Sequence, residues 1–270
     1  EAREVTVTCG ATEAMAAALL AVVNPGDEVI VFEPFYENYG PDAILCGATP
    51  VFVPLSPGQP LDLDRLATAF SPRTRAIVIN TPNNPTGRVF RREELEAIAA
   101  LCRAHDVMAI TDEIYEHILY EGEHIPLATL EGMRERTITI SGFSKTFSIT
   151  GWRIGTIVAP PDITEAIRKV HDFLTVGAPA PLQEACAVGL ERLGTDYYRA
   201  LARDYAARRD VLYPALVRAG FRCTRPEGAY YILADFSELS DLDDHAFARW
   251  LAREIGVAAV PGSSFFADPA

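Results

Sequence analysis

Only two lysines occur in this 270-residue sequence, Lys145 and Lys169, so the 24 basic residues include 24 − 2 = 22 arginines. Lys145 lies in SGFSKTFSITGWRIG (141–155), among small hydroxyl residues and upstream of Trp152 and Arg153. Arginine stays charged at any physiological pH, whereas a desolvated lysine amine can lose its proton and act as a nucleophile. A chain that otherwise chooses arginine thus marks Lys145 as a candidate for covalent chemistry. The competing reading is a solvated surface charge, the ordinary condition of a lysine.

Three further groups could join it. EVTVTCG (4–10) runs directly into a helical pattern at Ala11. Gly10 lets the backbone come close, and the free N–H groups of Ala11 and Thr12 would point out of a helix N-terminus, as an anion site requires. GATE also reads as a plain strand-to-helix turn, because it lacks the P-loop pattern and its lysine. NTPNNPTG (80–87) presents Asn83 and Asn84 on a turn stiffened by prolines, although Asn and Pro are also ordinary turn residues. Asp112 ends the run VMAITD, and Tyr115 follows one helical turn later, on the same side. That carboxylate reads equally as a helix cap or as the partner of a buried cation.

All four groups stand where short apolar runs end. EVIVF (28–32), TPVFVPL (49–55), RAIVINT (75–81), VMAITDE (107–113) and RTITISG (136–142) read as buried strands. Helical patterns at 11–23, 91–105 and 161–174 alternate with them, and NPGDE (24–28) stops the first helix. The alternation predicts an α/β fold, a mostly parallel sheet flanked by helices, with ligands at the carboxyl ends of its strands. Beyond about residue 180 the texture changes. Residues 184–220 read as almost wholly helical, broken near Gly194; FRCTRPEGAYYILADF (221–236) reads as two strands joined at Pro226-Glu227-Gly228. A helix follows, with Asp241 or Asp243 near its N-cap, and VAAVPG (257–262) reads as a last strand. The expected division is a large domain over 1–190 and a smaller α+β domain over 191–270.

Composition narrows the classes of function. A formal charge of −13 argues against nucleic-acid and anionic-membrane partners. No apolar run is long enough to cross a bilayer. Five widely spaced cysteines in apolar surroundings read as reduced cytosolic thiols, and the five histidines form no ligand spacing with them, so no metal is implied. The sequence opens at EAREVTV without methionine and stops at SSFFADPA after an apolar run, so it reads as a piece of a longer protein.

In order along the chain stand a helix start of anion-binding type, Pro34-Phe35-Tyr36, NNPTG, D-x-x-Y, and S-K eight residues before an arginine. That order resembles the fold-type I, pyridoxal-phosphate-dependent class I aminotransferases over the whole chain, most specifically from Lys145 to Gly155. The look is nearest to the branches acting on aromatic amino acids, kynurenine, glutamine and methionine, and to bacterial aspartate aminotransferases. The resemblance implies that Lys145 forms a Schiff base with pyridoxal 5′-phosphate and later shuttles a proton, and that Asp112 pairs with the pyridinium nitrogen. It further implies that Tyr115 and Asn84 bond the cofactor's 3′-oxygen, that Tyr36 stacks on its ring, and that Arg153, Gly10, Ala11 and Thr12 hold its phosphate. Gly142 stands where relatives often carry a phosphate-binding serine, with Ser141 or Ser144 as substitutes. Implied as well are amino-acid and 2-oxo-acid substrates, a cytoplasmic homodimer, and a substrate-carboxylate arginine outside this chain. Two alternatives use the same residues: a β-lyase acting on cysteine conjugates, and a cofactor-binding sensor domain of a transcription regulator.

Overall fold

The structure, a computed structural model, describes residues 2–56 and 58–268. Its first part alternates β1 (Val5–Thr8), α1 (Ala11–Val22), β2 (Glu28–Glu33), α2 (Tyr39–Leu45), β3 (Thr49–Pro54), α3 (Leu63–Ala69), β4 (Thr74–Asn80), α4 (Arg92–His105) and β5 (Met108–Asp112). There follow β6 (Thr137–Gly142), the single turn α5 (Phe143–Thr146), β7 (Gly155–Val158) and α6 (Pro161–Thr175). These strands form one seven-stranded sheet in the order β1-β7-β6-β5-β4-β2-β3. From β3 to β6 every pairing is parallel; β7 runs antiparallel to both β6 and β1.

The strands are apolar on both faces because both faces are covered. Val29 and Val31 of β2 face a core with Met15, Ala18 and Leu19 of α1 and Ile167 of α6. The alternating Ile30 and Phe32 face a second core with Leu66 of α3 and Leu95 and Ile98 of α4. Period-two side-chain alternation thus sends one strand into two cores. The alanines of α1 bring that helix close to the sheet, and its N-terminus arrives at the carboxyl end of β1. The five strands and three helices read from this part of the sequence are all present. The short α2 and α3, and the antiparallel β7, carry no separate pattern and escape that reading.

The second part comprises α7 (Ala180–Arg192), α8 (Thr195–Arg218), β8 (Arg222–Cys223), β9 (Ala234–Asp235) and α9 (Asp244–Trp250). The helical stretch breaks at Leu193-Gly194, as expected, and Asp243 caps α9 by accepting the Ala246 N–H at 2.6 Å. The hairpin expected over 221–236 is corrected: only Arg222–Cys223 and Ala234–Asp235 pair. The residues between them spend their backbone bonds on the first part instead. Glu227 and Gly228 donate to the Gly87 carbonyl, Ala229 donates to that of Ile118, and Tyr120 donates to that of Glu227. The last strand expected at VAAVPG is also corrected, since 257–261 carry no regular structure and Gly262 opens a 3-10 turn. Val257 instead closes a helical turn on Leu251, and Val260 is exposed, with no strand paired to it among the described residues.

Candidate active site

Lys145 sits on α5, a single turn locked from both sides. The Thr150 hydroxyl donates to the Ser144 carbonyl at 3.1 Å, and the Tyr197 hydroxyl donates to the Thr146 carbonyl at 2.7 Å. The lysine's Nζ lies 5.6 Å from the centre of the Tyr230 ring, at the wall of a cavity at the carboxyl end of the sheet. Lys169 is a surface residue by contrast, paired with Glu165 at 3.0 Å one turn away on α6. Of the two lysines, Lys145 lines the cavity and Lys169 does not.

Asp112 ends β5 and is 6% exposed. Its Oδ2 accepts the Tyr39 hydroxyl at 2.7 Å, and its Oδ1 accepts the Ile114 N–H at 3.2 Å. Burial raises its pKa, while the Tyr39 and Ile114 donors and the Lys145 charge pull it back. Asp112 also lines the cavity. Tyr115 is buried one turn further on, with its hydroxyl 3.0 Å from that of Tyr231. Burial first, then the neighbouring Tyr230 and Tyr231, push the Tyr115 phenol far up, so it stays protonated.

The two asparagines of NNPTG divide their work. Asn83 turns inward on its own loop, accepting the Thr86 hydroxyl at 2.7 Å. Asn84 lines the cavity, and its buried Oδ1 has no partner among the described residues. The loop is pinned by Asn80, whose Oδ1 accepts the Asn84 N–H at 2.7 Å and whose Nδ2 donates to the Asp112 carbonyl at 2.9 Å.

The far end of the cavity is an anion site in form. Among the described residues no acceptor takes the N–H of Ala11 or Thr12 at the start of α1. Arg153, in left-handed backbone conformation at φ 55, lays its guanidinium over Gly10, with Nη2 3.4 Å from the Thr12 hydroxyl. A Cβ on Gly10 would stand 2.4 Å from that Nη2 and displace the guanidinium, and φ there is +85, the backbone conformation that calls for glycine. A Cβ at Gly155 would strike the Gly10 carbonyl carbon at 2.5 Å. At Gly142 one would crowd the Gly155 Cα and the Ile154 carbonyl, both at 3.0 Å, so little room exists for a serine. Ser141 is corrected as its substitute: its hydroxyl donates to Glu116 at 2.6 Å. Ser144 is buried against the cavity.

Tyr36 lines the same space, edge-on to Tyr39 at 5.9 Å. Ala11, Thr12, Tyr36, Asn84, Asp112, Tyr115, Ser144, Lys145 and Arg153 therefore meet in one cavity, with Gly10 against the Arg153 guanidinium. Tyr39, Asn80 and Tyr231 line it too, and the sequence reading assigned none of them. PEGAYYILADF reads in the sequence only as part of the expected hairpin, and ENYG carries no pattern beyond its aromatic. Elsewhere, Glu113, Glu116 and His124 bring possible ligand atoms within 4.8 Å of one another. Thr111 and Ser141 already donate to the two carboxylates.

Residues 1–270 match the family described as aminotransferase class I and II. The Mycobacterium tuberculosis protein described as "Probable N-succinyldiaminopimelate aminotransferase" is 44% identical over 99% of this chain, which spans 68% of that protein's length. The methionine aminotransferase of Escherichia coli is 41% identical over 98% of this chain and 69% of its own. The solved structure of the M. tuberculosis N-succinyldiaminopimelate aminotransferase superposes with a TM-score of 0.95 at 43% identity, covering 99% of this chain and 70% of that one.

Proposed function

This chain belongs to the class I and II aminotransferases, and from that premise we propose how it transfers an amino group: its cavity receives pyridoxal 5′-phosphate, and Lys145 is the working amine. Members of the family depend in general on that cofactor. The observation that carries the reading is the convergence on one cavity of a buried carboxylate, an amine, an unpartnered amide and a helix N-terminus with its guanidinium. This donor set fits the group at each end. The Asn84 amide, whose oxygen and nitrogen can exchange places by rotation, is a buried polar atom awaiting a partner.

When bound, pyridoxal phosphate supplies a carbon that receives the amino group and a ring that takes up the electron pair left at the substrate's α-carbon. Asp112 would hold a ring N–H with its carboxylate; burial raises its pKa, and the Tyr39 and Ile114 donors offset part of that rise. Asn84 and the protonated Tyr115 would bond the ring hydroxyl, and Tyr36 would cover a ring face. Arg153 and the Ala11 and Thr12 N–H groups would hold the phosphate, with Gly10 giving close approach and the Ser144 hydroxyl in reserve. The Lys145 amine would take the proton from the substrate's α-carbon and return it at the receiving carbon.

The named relatives are described by different donors, N-succinyldiaminopimelate and methionine. For this chain we propose an L-amino acid donor and a 2-oxo acid acceptor. A β-lyase or a sensor domain would use the same ring-holding groups; relatives described as aminotransferases favour transfer. The proposal includes a cytoplasmic homodimer and a boundary between large and small domains near residue 190, where α7 gives way to α8.

Borohydride reduction of the cofactor-loaded chain, followed by peptide mapping, tests the assignment. The label is expected on the peptide carrying Lys145. Label confined to Lys169 would defeat it.

A further inference from the structure

Glu13, the third residue of α1, stands beside the anion site without lining the cavity. Its side chain is 8% exposed. Oε2 accepts the Cys9 backbone N–H at 2.5 Å. Oε1 accepts from His171 Nδ1 at 2.6 Å and from the Thr175 hydroxyl at 2.8 Å. One carboxylate thus joins the last turn before the anion site to the helix behind it.

That helix, α6, grips β1 from end to end. Arg168 donates to the carbonyls of Ala2 and Val5, each at 2.7 Å, and reaches the Thr6 hydroxyl at 3.4 Å. Positions 168, 171 and 175 fall on one helical stripe, at spacings of three and four. Arg168 therefore holds the start of β1, while His171 and Thr175, through Glu13, hold its end. The segment held there is Cys9-Gly10, whose glycine sits at φ +85 beneath the Arg153 guanidinium. Donors serve a bound anion only if they stay within about half an ångström of their working positions. Ala11 and Thr12 follow this turn directly, so their N–H groups point where Cys9 and Gly10 send them.

Resting on the reading that this turn and Arg153 receive the phosphate of pyridoxal phosphate, we propose that Glu13 is a positioning residue for that phosphate, held in place by His171 and Thr175. The role is directional and opposes simple charge. A carboxylate beside a phosphate repels it, so deleting the acid should tighten phosphate binding if Coulomb energy alone decided. If Glu13 shapes the turn, deletion loosens the grip instead, and only on the phosphate end.

The test compares pyridoxal phosphate with pyridoxal, which lacks the phosphate, by equilibrium dialysis of the full chain loaded with each. The wild type is expected to prefer the phosphorylated form. Glu13→Ala should cut that preference about tenfold, the order expected on losing hydrogen bonds to a charged group. Pyridoxal binding should change less than about twofold, outside the range of such a bond. Glu13→Gln, which keeps an acceptor for Cys9, should restore most of the preference. An unchanged or increased preference in Glu13→Ala overturns the proposal, as does equal weakening of both ligands, the mark of a general structural role. If Glu13→Ala does not fold, Thr175→Val carries the same comparison with a smaller loss in the same direction, and an unchanged preference there overturns it. A wild type that binds both forms equally defeats the cofactor reading itself.

Discussion

Asp42 offers a direct thermodynamic check on how this structure treats its buried charge. It lies in α2, one turn after Tyr39, and its Oδ2 is buried without a partner among the described residues. Burial raises its pKa from 3.8 to about 6. An acid whose folded pKa exceeds its unfolded value binds its proton more tightly when folded. Stability is then greatest at low pH and falls as pH rises between the two values, here from about 4 to about 6. A shift of roughly two units corresponds to about 3 kcal/mol at about 1.4 kcal/mol per unit. Because Asp42 is only partly buried, solvent screening reduces this to about 1–2 kcal/mol. Asp42→Asn removes the charge and keeps the shape. It should therefore raise stability by about that amount at pH 8, a few degrees in Tm for a chain of this size, and by close to nothing at pH 4. Urea unfolding at both pH values reads the difference. A stability gain independent of pH, or none at pH 8, would refute the assignment of the strain to an ionised Asp42.

Other expectations concern the cavity itself. Asp112→Ala should retain some cofactor yet lose at least about 100-fold in kcat, as expected when charge stabilisation at a reacting centre is removed, with Asp112→Glu recovering part; normal turnover in the alanine variant would reduce Asp112 to a cap. Gly10→Ala should lower Tm through backbone strain at φ +85 and also weaken pyridoxal phosphate binding, because the added Cβ displaces the movable end of Arg153, 2.4 Å away. Thermal melts and cofactor titration of the same samples separate the two effects, and a fall in Tm without weaker binding would contradict the geometry.

The candidate site was legible wherever one local signal coincided with a strand end. Asp112 stops an apolar run, Gly10 precedes a helical pattern, and Lys145 is a chemical exception in an arginine-rich chain. What stayed hidden depends on distant partners. Tyr39 matters through Asp112, 73 residues away, and Tyr231 through Tyr115, 116 residues away. Neither tyrosine sits in a pattern that differs from ordinary core or turn sequence. The hairpin at 221–236 was misread for a related reason. Its apolar, aromatic texture fits a strand, yet its N–H groups find better-placed acceptors at Gly87 and Ile118. Strand propensity describes a half-buried pleated surface rather than a specific partner, so tertiary contacts can redirect such a segment.

Gly142, where the resemblance would lead one to expect a serine, sits in close backbone packing. The end of β6, the start of β7 and the β1–α1 turn meet backbone against backbone through Gly142, Gly155 and Gly10. A serine at 142 would have to push β7 outward, and β7 is what presses on Gly10. A side chain at 142 would therefore ask β7 to give by a few tenths of an ångström, next to the turn that supplies the N–H donors. With no hydroxyl at 142, the candidate anion site rests on Ala11, Thr12 and Arg153, and their placement depends on how firmly the turn is held. Only one side of that turn is secured by close-packed glycines. The other is secured by Glu13 and the polar stripe of α6, so the placement of the Ala11 and Thr12 N–H groups depends on a buried carboxylate as well as on backbone packing.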